Sequence, residues 1–318
     1  MDRDKTYTSN VTKLLKHLDV LQGLQNNKIS PIMLHLAITN VCNLKCDFCC
    51  FANREVGDVL SFDRVKLALD TFWKLGVPAM EFTGGGEPTL YPKINESIDY
   101  ARDLGFKMGI CTNGKDLKRV DRWDYFEWVR LGLYFDKQNY EIDVDYLKNF
   151  DVDISGAYIF KSVGDELQDM ENVKKIIDFA ESNQVPSRIA VNAIQKKSGI
   201  LKDYELLRPL FDGDLKYSFL SDFNIQIKRR NKSCYMHMIK PFIFPDGWVY
   251  ACPCAEFAIE NNSNVDHSAR LCRIEQADTY FRSIDVRRRL QNCSFCKYSQ
   301  QNELIEDILT ETKHDDFI

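Results

Sequence analysis

The sequence predicts an α/β protein: a partial (β/α)6 barrel followed by a small C-terminal domain that contains β-strands. Three observations predict it. Apolar runs of strand length alternate with amphipathic stretches of helix length across residues 31–215, with no hairpin signal between them, which requires a parallel sheet joined by right-handed crossovers. Beyond residue 215 the alternation stops, and residues 243–250 read as two short strands about an Asp246-Gly247 turn. The 318 residues also exceed what one hydrophobic core usually supports, roughly 250 to 300.

The elements follow in order. In the N-terminal segment 1–30, Val11, Leu14, Leu15, Leu18, Leu21 and Leu24 recur at helical spacing behind Ser9, a suitable N-cap, and predict one amphipathic helix. Strands are expected near 32–39, 79–83, 107–112, 129–135, 152–160 and 187–194, with helices near 61–75, 92–104 and 169–182 between them. Units of this kind curve into an open barrel whose functional loops follow the C-terminal ends of the strands. Trp123, Tyr125, Phe126 and Trp128 are expected to pack a helix against that barrel. Residues 216–300 form the C-terminal domain, and the acidic tail 301–318 is expected to fray.

Composition narrows the function. Hydrophobic residues at 44% and charged residues at 28% are globular values. No uncharged apolar run approaches the roughly 20 residues of a membrane span, and the polar start lacks a secretory signal, so a cytoplasmic protein without a membrane partner is expected. Eleven cysteines, an odd number set in short clusters, point to metal or redox chemistry rather than to disulfides. The net charge of −5 does not indicate a nucleic-acid partner, yet residues 216–300 carry 13 basic against 8 acidic residues. Lys228, Arg229, Arg230 and Lys232, with Arg287, Arg288 and Arg289, could hold an anionic substrate there. A solvated, self-neutralising surface is the commoner role of such a stretch.

Cys42, Cys46 and Cys49, spaced C-x3-C-x2-C, follow the first strand directly. Three thiolates in one loop can hold three corners of a cubane cluster and leave the fourth iron open. Zinc is the competing reading, but it wants four closed ligands and would have to enlist the adjacent Cys50. After the second strand comes Thr83-Gly84-Gly85-Gly86-Glu87-Pro88. Its glycines let the backbone approach a ligand and Glu87 supplies a carboxylate for an amine, although a tight strand-to-helix connection alone would also explain the run.

The two motifs together, with Phe48 before the third cysteine, resemble the radical S-adenosylmethionine (radical SAM) superfamily. The resemblance implies a 4Fe-4S cluster on Cys42, Cys46 and Cys49, whose free iron chelates the amine and carboxylate of S-adenosylmethionine. It places Gly84, Gly85, Gly86 and Glu87 at the cofactor's amine, and Thr112-Asn113-Gly114 matches the family's third loop, with Asn113 among the cofactor contacts. Arg130 matches the arginine of an Arg-x-Ser pattern on the fourth strand, whereas Gly132 stands where the serine would be. Asn192, on the sixth strand, is in position for the ribose; a core or surface asparagine is an equal reading. The implied chemistry is reductive cleavage of the sulfonium to a 5'-deoxyadenosyl radical that abstracts a substrate hydrogen atom, with electrons from a donor such as flavodoxin or ferredoxin. A partly closed barrel shields such a radical from solvent.

Cys234, Cys252, Cys293 and Cys296, with Gly247 five positions before Cys252, resemble the superfamily's SPASM auxiliary-cluster domain. No cysteine follows Cys296, so the likeness is to the shortened twitch form, which implies one auxiliary 4Fe-4S cluster. Structural zinc describes four cysteines too, and Cys254 or Cys272 could replace one of the four. Buried, unreactive cysteine is the ordinary role of Cys50, Cys111, Cys254 and Cys272. Cys111, at the end of the third strand, and Cys254, beside a cluster ligand, are nonetheless candidate hydrogen-atom donors. His17, His35, His237, His267 and His314 show no ligand-like pairing.

Three classes of function are consistent with these features. The first is a peptide-modifying enzyme that oxidises, crosslinks or epimerises a residue, although the N-terminal segment is too short for a separate leader-binding domain. The second is a dehydrogenase or isomerase of a small molecule, such as a sugar, an aminocyclitol or a nucleotide-linked or nucleic-acid-linked substrate. The third is a non-catalytic zinc or iron-sulfur protein, against which the glycine-rich loop argues, since a structural metal needs no cofactor loop.

Overall fold

The computed structural model describes residues 6, 11–46, 49, 51–52, 54–137, 139–162, 165–192, 197–222, 234–253, 269–286, 296 and 298–310. Of the residues singled out above, Ser9, Phe48, Cys50, Cys254, Cys293, the basic runs at 228–232 and 287–289, His267 and His314 lie outside them.

One ten-stranded sheet runs in the order β10-β9-β8-β1-β2-β3-β4-β5-β6-β7. The first six strands are those expected: β1 Met33–Leu36, β2 Ala79–Phe82, β3 Lys107–Thr112, β4 Phe126–Gly132, β5 Asp153–Phe160 and β6 Ser187–Val191. Each pairs parallel with the next. Register follows the apolar rows that face the helices, with Leu34 opposite Met80 and Met80 opposite Met108. The helix Phe62–Lys74 starts where Ser61 Oγ accepts the Arg64 N–H and buries Val65, Leu69 and Phe72 on one face. The helix Ile94–Leu104 stops at Gly105, whose φ of 98° suits a residue without a Cβ. Trp123 and Phe126 enter the core as expected. Trp128 instead lies on the inner face of the barrel over Gly109, where any Cβ would collide with its ring.

The sheet extends past the six-unit expectation at both edges. A seventh parallel strand, β7 Ser218–Ser221, pairs with β6 beyond residue 215. On the other edge β8 Phe242–Ile243 adds parallel to β1. The expected hairpin then links β8 to β9 Trp248–Tyr250, with Gly247 at φ 81°, and β10 Arg270–Arg273 pairs antiparallel with β9. The C-terminal strands therefore continue the barrel sheet rather than form a sheet of their own.

The ends of the chain depart from the sequence reading. Among the described residues the expected single N-terminal helix is broken into Val11–Leu14 and Leu18–Gln25. The break at 15–17 lets Leu14, Leu21 and Leu24 share one apolar cluster while Leu15 and Leu18 face solvent. The acidic tail does not fray over its first part: Ser299–Leu309 is a helix that buries Ile305 completely in the same cluster, with Tyr235, Met236 and Met238. Burial of that apolar face stabilises the helix despite its surplus of acidic residues. No helix of the described residues is long and apolar enough to cross a membrane.

Candidate active site

The cysteine loop leaves β1 and is fastened before it reaches the thiols. Thr39 Oγ1 accepts the Val41 N–H, and Arg54 donates from Nε to Asn40 O at 2.7 Å and from Nη1 to Phe51 O at 2.8 Å, which draws the return of the loop onto its start. The glycine-rich loop after β2 is stitched alongside: Gly86 N donates to Thr39 O at 2.7 Å and Glu87 N to Val41 O at 2.8 Å. A Cβ on Gly85 would fall on the Asn40 side chain, and one on Gly86 on the Val41 carbonyl. These two glycines are required by the packing of loop on loop. Gly84 is different, since a Cβ there would meet nothing closer than 3.6 Å; its bare backbone is available to a ligand.

Glu87 is buried, and its carboxylate is taken by its own surroundings. Oε1 accepts from Thr89 N at 3.1 Å, Thr89 Oγ1 at 2.9 Å and Thr112 Oγ1 at 2.6 Å, and Oε2 accepts from Asn113 N at 2.7 Å. Burial pushes this carboxyl above its ordinary range in spite of the four donors. Glu87 therefore braces the second loop against the third while it also lines the cavity below. Asn113, in turn, donates from Nδ2 to Asn43 Oδ1 at 2.7 Å and lies 4.0 Å from Cys42 Sγ. Tyr140 Oη donates to Asn113 O at 2.7 Å and also touches Gly132 O.

These loops cap one cavity of about 690 Å³ inside the barrel mouth. Cys42, Cys46 and Cys49 line it together with Gly84, Gly85, Gly86, Glu87, Asn113, Arg130, Asn192 and Cys111, so residues from five segments of the sequence meet in one place. Burial pushes the Cys46 thiol up to about 12, and the neighbouring Cys49 and Cys42 add to the effect. Such a set resists joint ionisation until a cationic group compensates it, which suits an iron cluster. Among the described residues no three Cys, His, Asp or Glu side chains converge on the position of a single ion. A cubane asks for something else, since each thiolate binds its own iron.

Several participants were not singled out in the sequence. Tyr134, Arg188 and Arg54 line the same cavity, and the Tyr134 ring occupies the space that a side chain on Gly132 would fill. Glycine in place of the expected serine therefore makes room for a tyrosine. Strand alternation carried the signal: Arg130, Gly132 and Tyr134 are spaced by two, and Arg188 stands opposite Ala157, itself opposite Gly132. The C-terminal cysteines lie elsewhere. Cys234, Cys252 and Cys296, each half-buried, pack against the second apolar cluster. Cys272 is buried in the main core instead, its thiol raised to about 12 by burial, apart from those three.

Residues 36–151 match the Radical SAM superfamily. Over 102 residues the chain is 38% identical to a 7,8-dihydro-6-hydroxymethylpterin dimethyltransferase of Methanocaldococcus jannaschii, covering 30% of this chain and 20% of that enzyme. Over 119 residues it is 31% identical to AlbA, an antilisterial bacteriocin subtilosin biosynthesis protein of Bacillus subtilis, covering 35% of this chain and 26% of that protein. The chain thus spans about a quarter or less of the length of these relatives. The fold is shared with Streptococcus suis SuiB, solved bound to its precursor peptide SuiA, at a TM-score of 0.54, 17% identity and coverage of 97% of this chain and 74% of that one. The chain carries a radical SAM domain, and the cofactors of that domain are a 4Fe-4S cluster and S-adenosylmethionine.

Proposed function

We propose that the protein is a cytoplasmic radical SAM enzyme that modifies a peptide residue by oxidation, crosslinking or epimerisation. The observation that carries the reading is the single cavity lined both by the three thiols and by barrel groups as deep as Cys111 and Arg188, which leaves room for a substrate side chain beside the cofactor. Cys42, Cys46 and Cys49 hold the cluster; Gly84, Asn113, Arg130 and Asn192 hold S-adenosylmethionine. When bound, the pair supplies a primary carbon radical that abstracts hydrogen. Cys234, Cys252 and Cys296, with Cys293, hold an auxiliary 4Fe-4S cluster against the second apolar cluster, within a twitch-like unit that spans roughly residues 216–300. A flavodoxin or ferredoxin supplies the electrons. The SuiB complex with a precursor peptide and the function of AlbA support a peptide substrate.

A small-molecule substrate is the second reading, favoured by the pterin chemistry of the 38% identical relative and by Arg130 and Arg188 on the cavity wall, which suit an anionic group.

Anaerobic reconstitution tests the core of the proposal. About eight irons are expected, and dithionite with S-adenosylmethionine should yield 5'-deoxyadenosine. Replacing Cys42, Cys46 and Cys49 together should leave about four irons and no cleavage; retained cleavage overturns the assignment. Deuterium transferred to 5'-deoxyadenosine from a deuterated peptide pool, and not from a deuterated metabolite extract, would select the peptide reading.

A further inference from the structure

Below the cofactor loops the inner face of the barrel carries a line of three side chains, Cys111, Glu81 and His35. Cys111, on β3, is the member that reaches the cavity. Its thiol donates to Glu81 Oε1, on β2, at 3.2 Å. On the far side, Glu81 Oε2 stands 3.4 Å from His35 Nε2, on β1, and the register sets His35 directly opposite Glu81. Glu81 and His35 are only 7% and 6% exposed, so bulk water does not reach the carboxylate directly.

Burying a carboxylate is expensive and persists only with compensation. The groups that face Glu81 are His35 from β1, Cys111 from β3, Arg130 from β4, and Lys240, which follows the short helix Met236–Ile239. Burial opposes ionisation, but His35, Lys240, Arg130 and the thiol together outweigh it and hold Glu81 below its ordinary range. Cys111 is driven the other way: burial and the Glu81 charge raise its thiol far above the usual value, so its S–H stays intact at neutral pH. A thiol presented to a radical-bearing cavity, kept protonated, and backed by a carboxylate and an imidazole, has the parts of a renewable hydrogen source.

We propose that Glu81 and His35 are positioning residues that hold and reprotonate the Cys111 thiol, so that Cys111 returns a hydrogen atom to a carbon radical in the cavity. The inference rests on the radical chemistry proposed above and concerns how that radical ends. In the transfer a C–H bond forms as the S–H bond breaks homolytically, and Cys111 becomes a thiyl radical. One electron from a reduced iron-sulfur or flavin protein converts the thiyl to a thiolate. The proton comes from His35 through Glu81, and His35 regains one from water.

The 5'-deoxyadenosyl radical itself is the probe, with no other substrate added. The reconstituted protein is given S-adenosylmethionine and dithionite in deuterium oxide, and 5'-deoxyadenosine is analysed by mass. One deuterium per molecule is expected, lost in Cys111→Ala. In Glu81→Gln the first equivalent should form normally and later turnovers should slow, because the thiol is present but not recharged. A second readout does not depend on turnover: losing the Glu81 charge should lower the Cys111 pKa, and about one unit would raise its alkylation by iodoacetamide near neutral pH about tenfold, measured by peptide mass mapping. Deuterium that persists in Cys111→Ala, or a Glu81→Gln protein with wild-type turnover and alkylation, overturns the proposal. Absence of 5'-deoxyadenosine from the wild-type protein would instead overturn the radical SAM reading beneath it.

Discussion

Asn302 donates from Nδ2 to Cys296 Sγ at 3.4 Å, while its Oδ1 accepts the backbone N–H of Tyr235 at 2.7 Å. One buried amide on the C-terminal helix thus holds the residue after Cys234 and the sulfur of Cys296 in fixed relation. A hydrogen bond to a cluster thiolate stabilises the reduced, more negative state. Asn302→Leu should therefore lower the potential of the auxiliary cluster, by an amount on the order of tens of millivolts, with iron content unchanged. An EPR-monitored redox titration checks it, and an unshifted potential would remove this role from Asn302.

Glu87→Ala strands the backbone donors of Thr89 and Asn113 and two threonine hydroxyls at a buried point. The expected loss of stability is at least about 2 kcal/mol, read from chemical denaturation, with weaker S-adenosylmethionine binding as a consequence of the loosened loops. Iron should be retained. If affinity fell with stability untouched, the carboxylate would be meeting the cofactor directly.

Glu81 makes acid stability a measurable property of the barrel interior. Its folded pKa lies below the unfolded value because the charges of His35, Lys240 and Arg130 overcome the effect of burial. A carboxyl depressed in this way stabilises the fold fully above its unfolded pKa, about 4.3, and loses that contribution as pH falls through the folded value. Glu81→Gln should flatten the acid limb of thermal stability below about pH 5. An unchanged limb would mean that Glu81 is not held as a carboxylate.

Ile305 is completely buried between the N-terminal helices and the strip around Tyr235 and Met238. Ile305→Ala should cost about 2 to 5 kcal/mol and speed alkylation of Cys234 and Cys296 in cluster-free protein. The alkylation rates of Cys42 and Cys49 should not move, because they line the barrel cavity and do not pack against this cluster. Equal acceleration at all four thiols would show that the two cores unfold as one.

Most of the chemistry was legible in the sequence because it is local. Three cysteines within eight residues, three glycines before Glu87, and the strand-helix alternation all state their purpose at short range, where spacing and periodicity decide what side chains can do together. The hairpin at Gly247 was legible for the same reason. What the residues alone did not reveal depends on which strands become neighbours. Strand alternation puts Cys111 and Arg130 on the inner face, yet only the pairing of β1 with β2 and of β2 with β3 brings His35 and Glu81 behind the thiol. That Gly85 and Gly86 also seat the loop, with Asn40 and Val41 in the space their side chains would need, depends on how the cysteine loop packs against them. The tail read as a fraying acidic segment because its surplus of charge is visible along the chain, whereas the apolar groove that Ile305 fills is built by other segments, among them Leu14, Leu21 and Leu24 near the N-terminus and the strip around Tyr235 and Met238. Sequence by itself determined the cofactor loops and the barrel units, whose interactions close within a few residues or a few turns. Only the tertiary structure decided which buried charges face one another and which ends of the chain share a core, since those energies exist only once distant segments have excluded water from between them.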